Sequence, residues 1–174
     1  EWDGNLPDAT LQNWLSWLHE LPELENLSIP RCLKPLQFGN ILSIQLHHFA
    51  DASEIGYGTA SYIRLTDDLG NVHCSLLISR SRVAPLKKMT IPRLELTAAT
   101  LAVKMSKLIH QELEMADCSD VFWTDSMSVI RYISNESTRF HTFVANRVSL
   151  IRDCTCVKQW KFIESELNAA DIVS

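Results

Sequence analysis

The chain has 174 residues, 46% of them hydrophobic, and a formal net charge of −5 at pH 7. Such a chain can bury a full core, and it contains no apolar run long enough to span a bilayer and no signal peptide at its start, so we expect no membrane segment. The acids are concentrated at the start: residues 1–30 hold six acidic and no Lys or Arg residues, which leaves 16 basic against 15 acidic groups in residues 31–174. The five cysteines are odd in number and scattered, which favours reduced thiols and a cytoplasmic location.

The first 38 residues predict an arm or the tail of a preceding domain. Leucines and tryptophans between residues 11 and 21 repeat with helical spacing, and either Asp8 or Thr10 is placed to cap this helix. Pro22 is expected to end or kink it. Two further prolines make the stretch to residue 38 an extended linker, so we place the main domain at residues 39–174.

Three strands come next. Residues 42–51 and 57–65 are rich in strand-forming side chains, and residues 72–79 follow a turn at 67–71. Connections this short predict an antiparallel meander.

Residues 89–110 give the longest helical signal in the chain. Pro92 suits a first helical turn, and apolar residues then recur at steps of three and four. Glu95 lies at the edge of this stripe, on a row that continues as Ala99 and Ala102, so the helix can lie close to a sheet. Taken alone, Glu95 is best explained as a complement to the helix dipole.

Residues 80–93, which run into the start of this helix, are basic and contain no acid. This stretch is either a solvated loop or a footprint for phosphates, and the two interpretations are compatible. Its basic residues are Arg80, Arg82, Lys87, Lys88 and Arg93.

The rest of the chain alternates strands and helices. We predict a buried strand at 121–125, helices at 126–133 and 140–152, and a fifth strand at 156–163. Residues 168–171 look like the start of a helix that would continue past Ser174, so the last helix is expected to be truncated. The order predicts an α/β fold with a five-stranded mixed sheet, three antiparallel strands followed by two parallel ones, flanked by helices.

Four acids fall at the ends of these elements: Asp51, Glu95, Asp125 and Asp171. If the first and fourth strands are parallel neighbours, Asp51 and Asp125 lie side by side at their carboxyl ends. Carboxylates packed together repel one another unless a cation holds them. Two Mg²⁺ ions would do so, because Mg²⁺ prefers oxygen ligands, and such a pair can catalyse phosphoryl displacement.

These acids occur in motifs that resemble, in order and spacing, the four acidic motifs of the ribonuclease H family. The motifs are FADAS at 49–53, IPRLELTAA at 91–99, WTDS at 123–126 and SELNAAD at 165–171. More narrowly, SRVAPLK at 81–87 resembles the version carried by Pao/BEL-type LTR retrotransposons, where it follows the reverse transcriptase in the polyprotein. Trp2-Asp3, Leu6-Pro7, Trp17-Leu18, Leu21-Pro22 and residues 29–32 resemble the segment that connects the two enzymes.

The resemblance implies endonucleolytic hydrolysis of the RNA strand of RNA–DNA hybrids during reverse transcription. It implies that Asp51, Glu95, Asp125 and Asp171 are catalytic and bind two Mg²⁺ ions, with Mn²⁺ as a substitute and Asp51 shared between the ions. The implied partners are the hybrid and the reverse transcriptase of the same polyprotein, in a cytoplasmic virus-like particle. We also expect the basic residues named above, together with Ser53 and Ser126, to contact nucleic acid.

One feature departs from the family pattern. Many cellular members place a His in a mobile loop before the last acid, whereas residues 163–167 contain none. Glu164 or Glu166 could replace it, although a surface carboxylate is the simpler interpretation.

Two other functions remain open from the sequence. One is a catalytically inactive ribonuclease H-like module that serves as a structural or partner-binding domain. The other is a related transposase or integrase, a class that usually lacks an acid equivalent to Glu95.

Several other candidate residues are better explained as structural. His47 and His48 are adjacent on a strand and face opposite ways, so they cannot chelate one metal ion together. We expect Trp123 and Trp160 to be core residues, and Asn168 to cap the last helix.

Overall fold

The computed structural model describes residues 4, 7–30, 32–114 and 118–174. The chain divides into two compact units, Glu1–Leu33 and Lys34–Ser174. Part of the proposed connection segment, namely Trp2, Asp3, Leu6 and Arg31, lies outside the described residues.

The first unit contains helix α1 (Asp8–Glu20), followed by a 3-10 helix (Leu21–Asn26). Helix α1 ends just before Pro22, as predicted. The predicted cap is wrong, because Pro7 precedes the helix without a side-chain hydrogen bond and both Asp8 and Thr10 lie inside it. Within the described ranges, no helix is long and apolar enough to cross a membrane.

The second unit is built on one sheet of five strands. The strands are β1 (Ile41–Ala52), β2 (Gly56–Asp67), β3 (Val72–Val83), β4 (Ser119–Thr124) and β5 (Trp160–Phe162). Their order in the sheet is β3-β2-β1-β4-β5; β2 pairs antiparallel with both β1 and β3, and β4 pairs parallel with both β1 and β5. This confirms the predicted mixed sheet.

Three helices pack on one face of this sheet. They are α2 (Ile91–Leu113), α3 (Met127–Ser134) and α4 (Thr142–Cys154). Their buried side chains form one core with Ala50 of β1 and Phe122 of β4. Helix α2 has Pro92 in its first turn, as predicted, and it meets the sheet through fully buried alanines at 98, 99 and 102. These small side chains let the helix backbone lie close to the strands.

Strand β3 is longer than the sequence predicted. It extends to Val83 because β2 still offers partners: Arg80 pairs with Thr59, and Arg82 pairs with Tyr57. The assignment of Arg80 and Arg82 to a loop is therefore wrong. They lie on the outermost strand of the sheet, where charged side chains are common.

The end of the chain is less regular than the sequence predicted. The fifth strand is only three residues long, because residues 157–159 form a 3-10 turn in which the Gln159 side chain accepts a hydrogen bond from the Cys156 backbone. The predicted last helix is replaced by two 3-10 turns (Ser165–Leu167 and Asp171–Val173). Between these turns Asn168 is buried, where it donates to the Ala50 carbonyl and accepts from the Ala170 backbone.

Asp120, at the start of β4, fixes the second half of α2 to the sheet. Its carboxylate oxygens lie 2.9 Å from Nε2 of His48 on β1 and 2.8 Å from Nε2 of His110 on α2, and Ser106 on α2 donates to it at 2.9 Å. Burial would raise the pKa of Asp120, but these hydrogen bonds lower it. The carboxylate is therefore ionised and bridges three elements.

We expect Asp120→Ala to lower the free energy of unfolding by about 3 kcal/mol, because it leaves buried groups of His48 and Ser106 without a partner. Urea unfolding measures this change. Glu112→Ala, an exposed acid on the same helix, is the matched control and should stay within about 0.5 kcal/mol of the unsubstituted protein. Equal stability of the two variants would contradict the bridging role of Asp120.

Candidate active site

Asp51 and Asp125 lie at adjacent strand ends. Strands β1 and β4 are parallel, and their register pairs Ala50 with Thr124. The residue that follows each member of this pair is an aspartate, Asp51 or Asp125. The carboxyl ends of parallel strands meet at one edge of a sheet, which is where sites form in α/β folds. The topology therefore brings together two acids that are 74 positions apart in the chain.

Glu95 approaches the same edge from the second turn of α2. Ser126, which caps α3 by accepting a hydrogen bond from the Val129 backbone, donates its hydroxyl to Oε2 of Glu95 at 2.6 Å. Burial raises the pKa of Glu95, the Ser126 hydrogen bond opposes this, and the charges of Asp125 and Asp51 raise it further. Helix α2 thus holds its carboxylate within electrostatic range of both strand-end acids.

Among the four acids predicted for the site, Asp51 is the most buried, with 9% of its surface exposed. Burial is the largest cause of its raised pKa. The Ser174 hydroxyl, which donates at 2.5 Å, and the Ala52 backbone lower the pKa, while the charges of Asp125 and Asp171 raise it. Its charged form is therefore disfavoured by both its burial and its neighbours.

Asp171 comes to the site from the end of the chain. It is exposed and opens the turn Asp171–Val173, and its charge acts on Asp51. This turn lies directly on Gly58, which pairs with Asp51 across β1 and β2. A Cβ atom at position 58 would stand 2.6 Å from the Val173 carbonyl oxygen, so only glycine permits this approach.

Serine hydroxyls hold the carboxylates in place. Ser126 donates to Glu95, Ser174 to Asp51, and Ser165 to Oδ2 of Asp125 at 2.6 Å. We predicted Ser126 to contact nucleic acid, and we assigned no role to Ser165 or Ser174 from the sequence. Both are close to Asp171 in the sequence, but a serine near an acid is too common to predict a contact.

The donor chemistry of this edge suits a hard divalent cation. Carboxylate oxygens are the ligands that Mg²⁺ prefers. Burial is the main cause of the raised pKa of Asp51 and Glu95, and the charges of neighbouring acids add to it; a cation would relieve that repulsion. As arranged here, with hydroxyls donating to three of the acids, the described residues include no group of three or more His, Cys, Asp or Glu side chains poised to hold a metal ion. The residue types fit a metal, whereas the side-chain positions are those of hydrogen-bonded acids.

The other predicted contact residues are more dispersed. Ser53 closes the turn between β1 and β2 by accepting hydrogen bonds from the backbones of Ile55 and Gly56. Lys87 and Lys88 follow β3 and are exposed, and Lys88 lines a cavity of about 530 Å³ beside the start of α2. The Arg93 guanidinium lies 5.4 Å from the centre of the Phe143 ring. Arg80 and Arg82 lie on β3, which ends at Val83.

The histidine and tryptophan predictions have mixed outcomes. His48 is buried under the helices, whereas His47 accepts a hydrogen bond from Trp123 Nε1 at 3.0 Å, so both act as strand residues. Trp160 is a core residue, as predicted. The core assignment of Trp123 is wrong: strand alternation places Phe122 under the helices and Trp123 on the opposite face, partly exposed beside Phe49.

The solved structures that are similar to this chain include ribonucleases H and a viral protease–reverse transcriptase. RNase H1 from the halophilic archaeon Halobacterium salinarum is 12% identical, with 75% of this chain and 93% of that one covered and a TM-score of 0.46. LC11-RNase H1, solved in complex with an RNA/DNA hybrid, is 17% identical, with coverages of 75% and 93% and a TM-score of 0.47. The protease–reverse transcriptase of prototype foamy virus is 11% identical, with coverages of 80% and 19% and a TM-score of 0.41.

The family assignment comes from the sequence match. No curated protein matches the chain significantly. The family model described as the Pao retrotransposon-like RNaseH-like domain matches residues 1–126, which include Asp51, Glu95 and Asp125. Together with the five-stranded mixed sheet, this match shows that the chain belongs to the Pao retrotransposon-like RNaseH-like domain family and has a ribonuclease H-like fold.

Proposed function

We propose that this chain hydrolyses the RNA strand of RNA–DNA hybrids during reverse transcription, by endonucleolytic cleavage. One observation carries the proposal: carboxylates from β1, α2 and the end of β4 meet at one sheet edge, where burial is the main cause of the raised pKa of Asp51 and Glu95 and the repulsion between the acids adds to it. A fold that served only as a scaffold would gain nothing from this repulsion. The family match supplies the retrotransposon context.

Asp51, Glu95, Asp125 and Asp171 are the residues that would hold Mg²⁺, or Mn²⁺ in its place. When bound, a pair of such ions would activate a water molecule and stabilise the leaving oxygen of the RNA strand. Asp125 comes to this site from a strand end and Glu95 from a helix packed through alanines, so both carboxylates have rigid supports. Rigid backbone supports favour catalysis, because they keep these acids at the site when the substrate arrives.

The serine hydroxyls are positioning groups in this proposal. Ser126 orients Glu95 and at the same time caps α3, so the acid and the next helix are set by one side chain. Ser165 orients Asp125 from the turn Ser165–Leu167, which precedes the last acid as the histidine loop does in many cellular ribonucleases H. Glu166 lies in the same turn and is exposed.

The parts of the chain have different roles in this proposal. We assign residues 1–38 to a connection segment and residues 39–174 to the nuclease domain. The reverse transcriptase of the same polyprotein is the proposed partner, in a cytoplasmic virus-like particle. Since residues 31–174 are almost neutral, the reverse transcriptase would supply much of the affinity for the hybrid.

We expect Asp125→Asn to reduce hybrid cleavage by at least about a hundredfold, because it removes one of the charges that would hold the ions. Cleavage of a hybrid with a 5′-labelled RNA strand, followed on a denaturing gel in Mg²⁺, measures the rate. Asp51→Asn and Glu95→Gln should behave alike. Asp153→Asn, an exposed acid on α4, is the control and should cleave at the rate of the unsubstituted chain.

The same assay separates the alternatives. Cleavage by Asp125→Asn at the full rate would refute the assignment of the site. Absence of cleavage by the unsubstituted chain would favour an inactive module, and cleavage of duplex DNA instead of the hybrid would favour a transposase-like enzyme.

Mg²⁺ should stabilise the folded chain by binding to the acids. At ten times the dissociation constant the gain is about 1.4 kcal/mol, or roughly 3–6 °C in unfolding temperature for a chain of this size. We expect this shift between 10 mM Mg²⁺ and EDTA in the unsubstituted chain and in Asp153→Asn. It should vanish in Asp51→Asn and Asp125→Asn, and a full shift in these two variants would place the metal elsewhere.

The burial and mutual repulsion of these acids also predict a pH dependence of stability in the absence of divalent ions. The folded-state pKa values of Asp51 and Glu95 lie above the ordinary 3.8 and 4.5. In the pH window between the unfolded-state and the folded-state pKa of each group, the folded chain therefore binds more protons than the unfolded chain. The contribution of both groups to stability is therefore present below this window and is lost as the pH rises through it.

Asp51→Asn should consequently be more stable than the unsubstituted chain at pH 7.5 in EDTA, and this advantage should shrink towards pH 4. Thermal unfolding at both pH values measures it. Asp153→Asn should show no such pH-dependent advantage. An Asp51→Asn variant that is less stable than the unsubstituted chain at pH 7.5 would contradict the raised pKa.

A further inference from the structure

A basic groove runs along one flank of α2, beside the acidic edge. We use the term basic groove for the cavity, about 390 Å³ in volume, between α2, the ends of β2 and β3, and α4. Four cationic side chains line it: Arg80 and Arg82 from β3, Lys104 from α2 and Arg147 from α4. Tyr57 and Asn146 add polar groups to the lining.

The basic groove holds these cations without an acid to balance them. Its lining contains no Asp or Glu. Within the described part of the chain, Arg80, Arg82 and Lys104 form no ion pair, and the two ion pairs found both involve Asp120. Like charges gathered from three separate elements repel one another, and an anionic ligand would relieve the repulsion.

Arg147 is held ready for such a ligand. Its Nε donates to Thr97 Oγ1 at 3.2 Å and its Nη1 donates to the Phe143 carbonyl at 3.1 Å. Its guanidinium carbon also lies 3.5 Å from the centre of the Phe143 ring. These contacts fix the plane of the guanidinium and leave further N–H groups for an anion, which is the geometry that suits a phosphate.

The basic groove begins close to the acids. Arg82 pairs with Tyr57, and Tyr57 pairs with Ala52, the neighbour of Asp51. Two strand spacings therefore separate the backbones of Arg82 and Ala52, which is about 10 Å. A polyanion in the basic groove would extend directly from the acidic edge.

We propose that the basic groove binds the phosphodiester backbone of a polynucleotide whose neighbouring phosphates lie at the acidic edge. This inference rests on the proposed function for the identity of the ligand, and it adds Lys104 and Arg147 to the candidate contacts. Guanidinium and ammonium groups bind phosphates without reading the bases, so the basic groove would set the position of the strand and not its sequence. The basic groove concentrates in one place the positive charge that the nearly neutral domain lacks overall.

Binding of a fluorescein-labelled 18-base-pair RNA–DNA hybrid to the full chain tests the proposal. Anisotropy titrations in EDTA between 50 and 200 mM KCl keep cleavage out of the measurement. We expect Arg82→Gln and Lys104→Gln each to weaken binding roughly eightfold at 0.1 M salt and to reduce the slope of log K against log salt by about one. Lys104→Arg keeps the charge and should bind like the unsubstituted chain.

Lys107→Gln is the matched control, because it removes the same charge one turn further along α2 and outside the basic groove. It should bind like the unsubstituted chain, and equal unfolding temperatures would show that all variants are folded. Hybrids carrying one neutral methylphosphonate in the DNA strand then locate the contact. At the phosphate bound by Arg82, the methylphosphonate and Arg82→Gln should no longer weaken binding independently.

Three results would overturn the proposal: no binding by the unsubstituted chain, an unchanged salt slope in the groove variants, or an equal loss in Lys107→Gln. The proposed function fails separately. If the chain binds as expected but does not cleave in Mg²⁺, the proposed role of the basic groove stands and the nuclease function is refuted. If the chain cleaves while Arg82→Gln and Lys104→Gln bind normally, the nuclease function stands and the proposed role of the basic groove is refuted.

Discussion

The structure depends on holding repelling carboxylates together at one edge of a sheet. The parallel pairing of β1 and β4 makes Asp51 and Asp125 neighbours, and α2 adds Glu95 from above. Such an arrangement is unfavourable while the acids are charged and unaccompanied by cations, so the rest of the fold must compensate for it. The alanine face of α2 and the core beneath it provide that compensation.

Polar contacts fix helix α2 both near its start and in its second half. Near its start, Glu95 accepts a hydrogen bond from Ser126 at the acidic edge. In its second half, Ser106 and His110 bind the Asp120 carboxylate, which is ionised because three partners stabilise its charge. One strand, β4, thus carries a stabilising acid at its start and is followed by a repelled acid at its end. The position of Glu95 is consequently set also by contacts about three to four helical turns further along α2, and not by its own turn alone.

Much of this architecture could be predicted from the sequence, because it follows from periodicity and chain order. The alternation of strand residues and the stripe of α2 indicated the sheet and its long helix, and acids at element ends indicated the edge where they meet. The length of β3 could not be predicted, since Arg80 and Arg82 look like loop residues until β2 is known to extend opposite them. The final turns depend on Asn168 binding the Ala50 carbonyl, a contact between residues 118 positions apart.

The site was predictable in its residue types and not in its details. Acids in four motifs can be recognised in a sequence, but the hydroxyls that orient them depend on rotamers and on loop paths. The basic groove was hidden for a related reason: its cations come from β3, α2 and α4, and only Arg80 and Arg82 fell in a visible basic run. When each element contributes only one or two charged residues, a cluster that forms in the folded chain cannot be recognised as a run of charge in the sequence.

Gly58 shows how far a small steric constraint can reach. Its missing side chain leaves room for the backbone of Val173, and so for the turn that carries Asp171. A single methyl group there would push this turn, and Asp171 with it, away from the sheet without changing any ionisable residue. Residue 58 therefore controls the completeness of the acidic edge through volume alone.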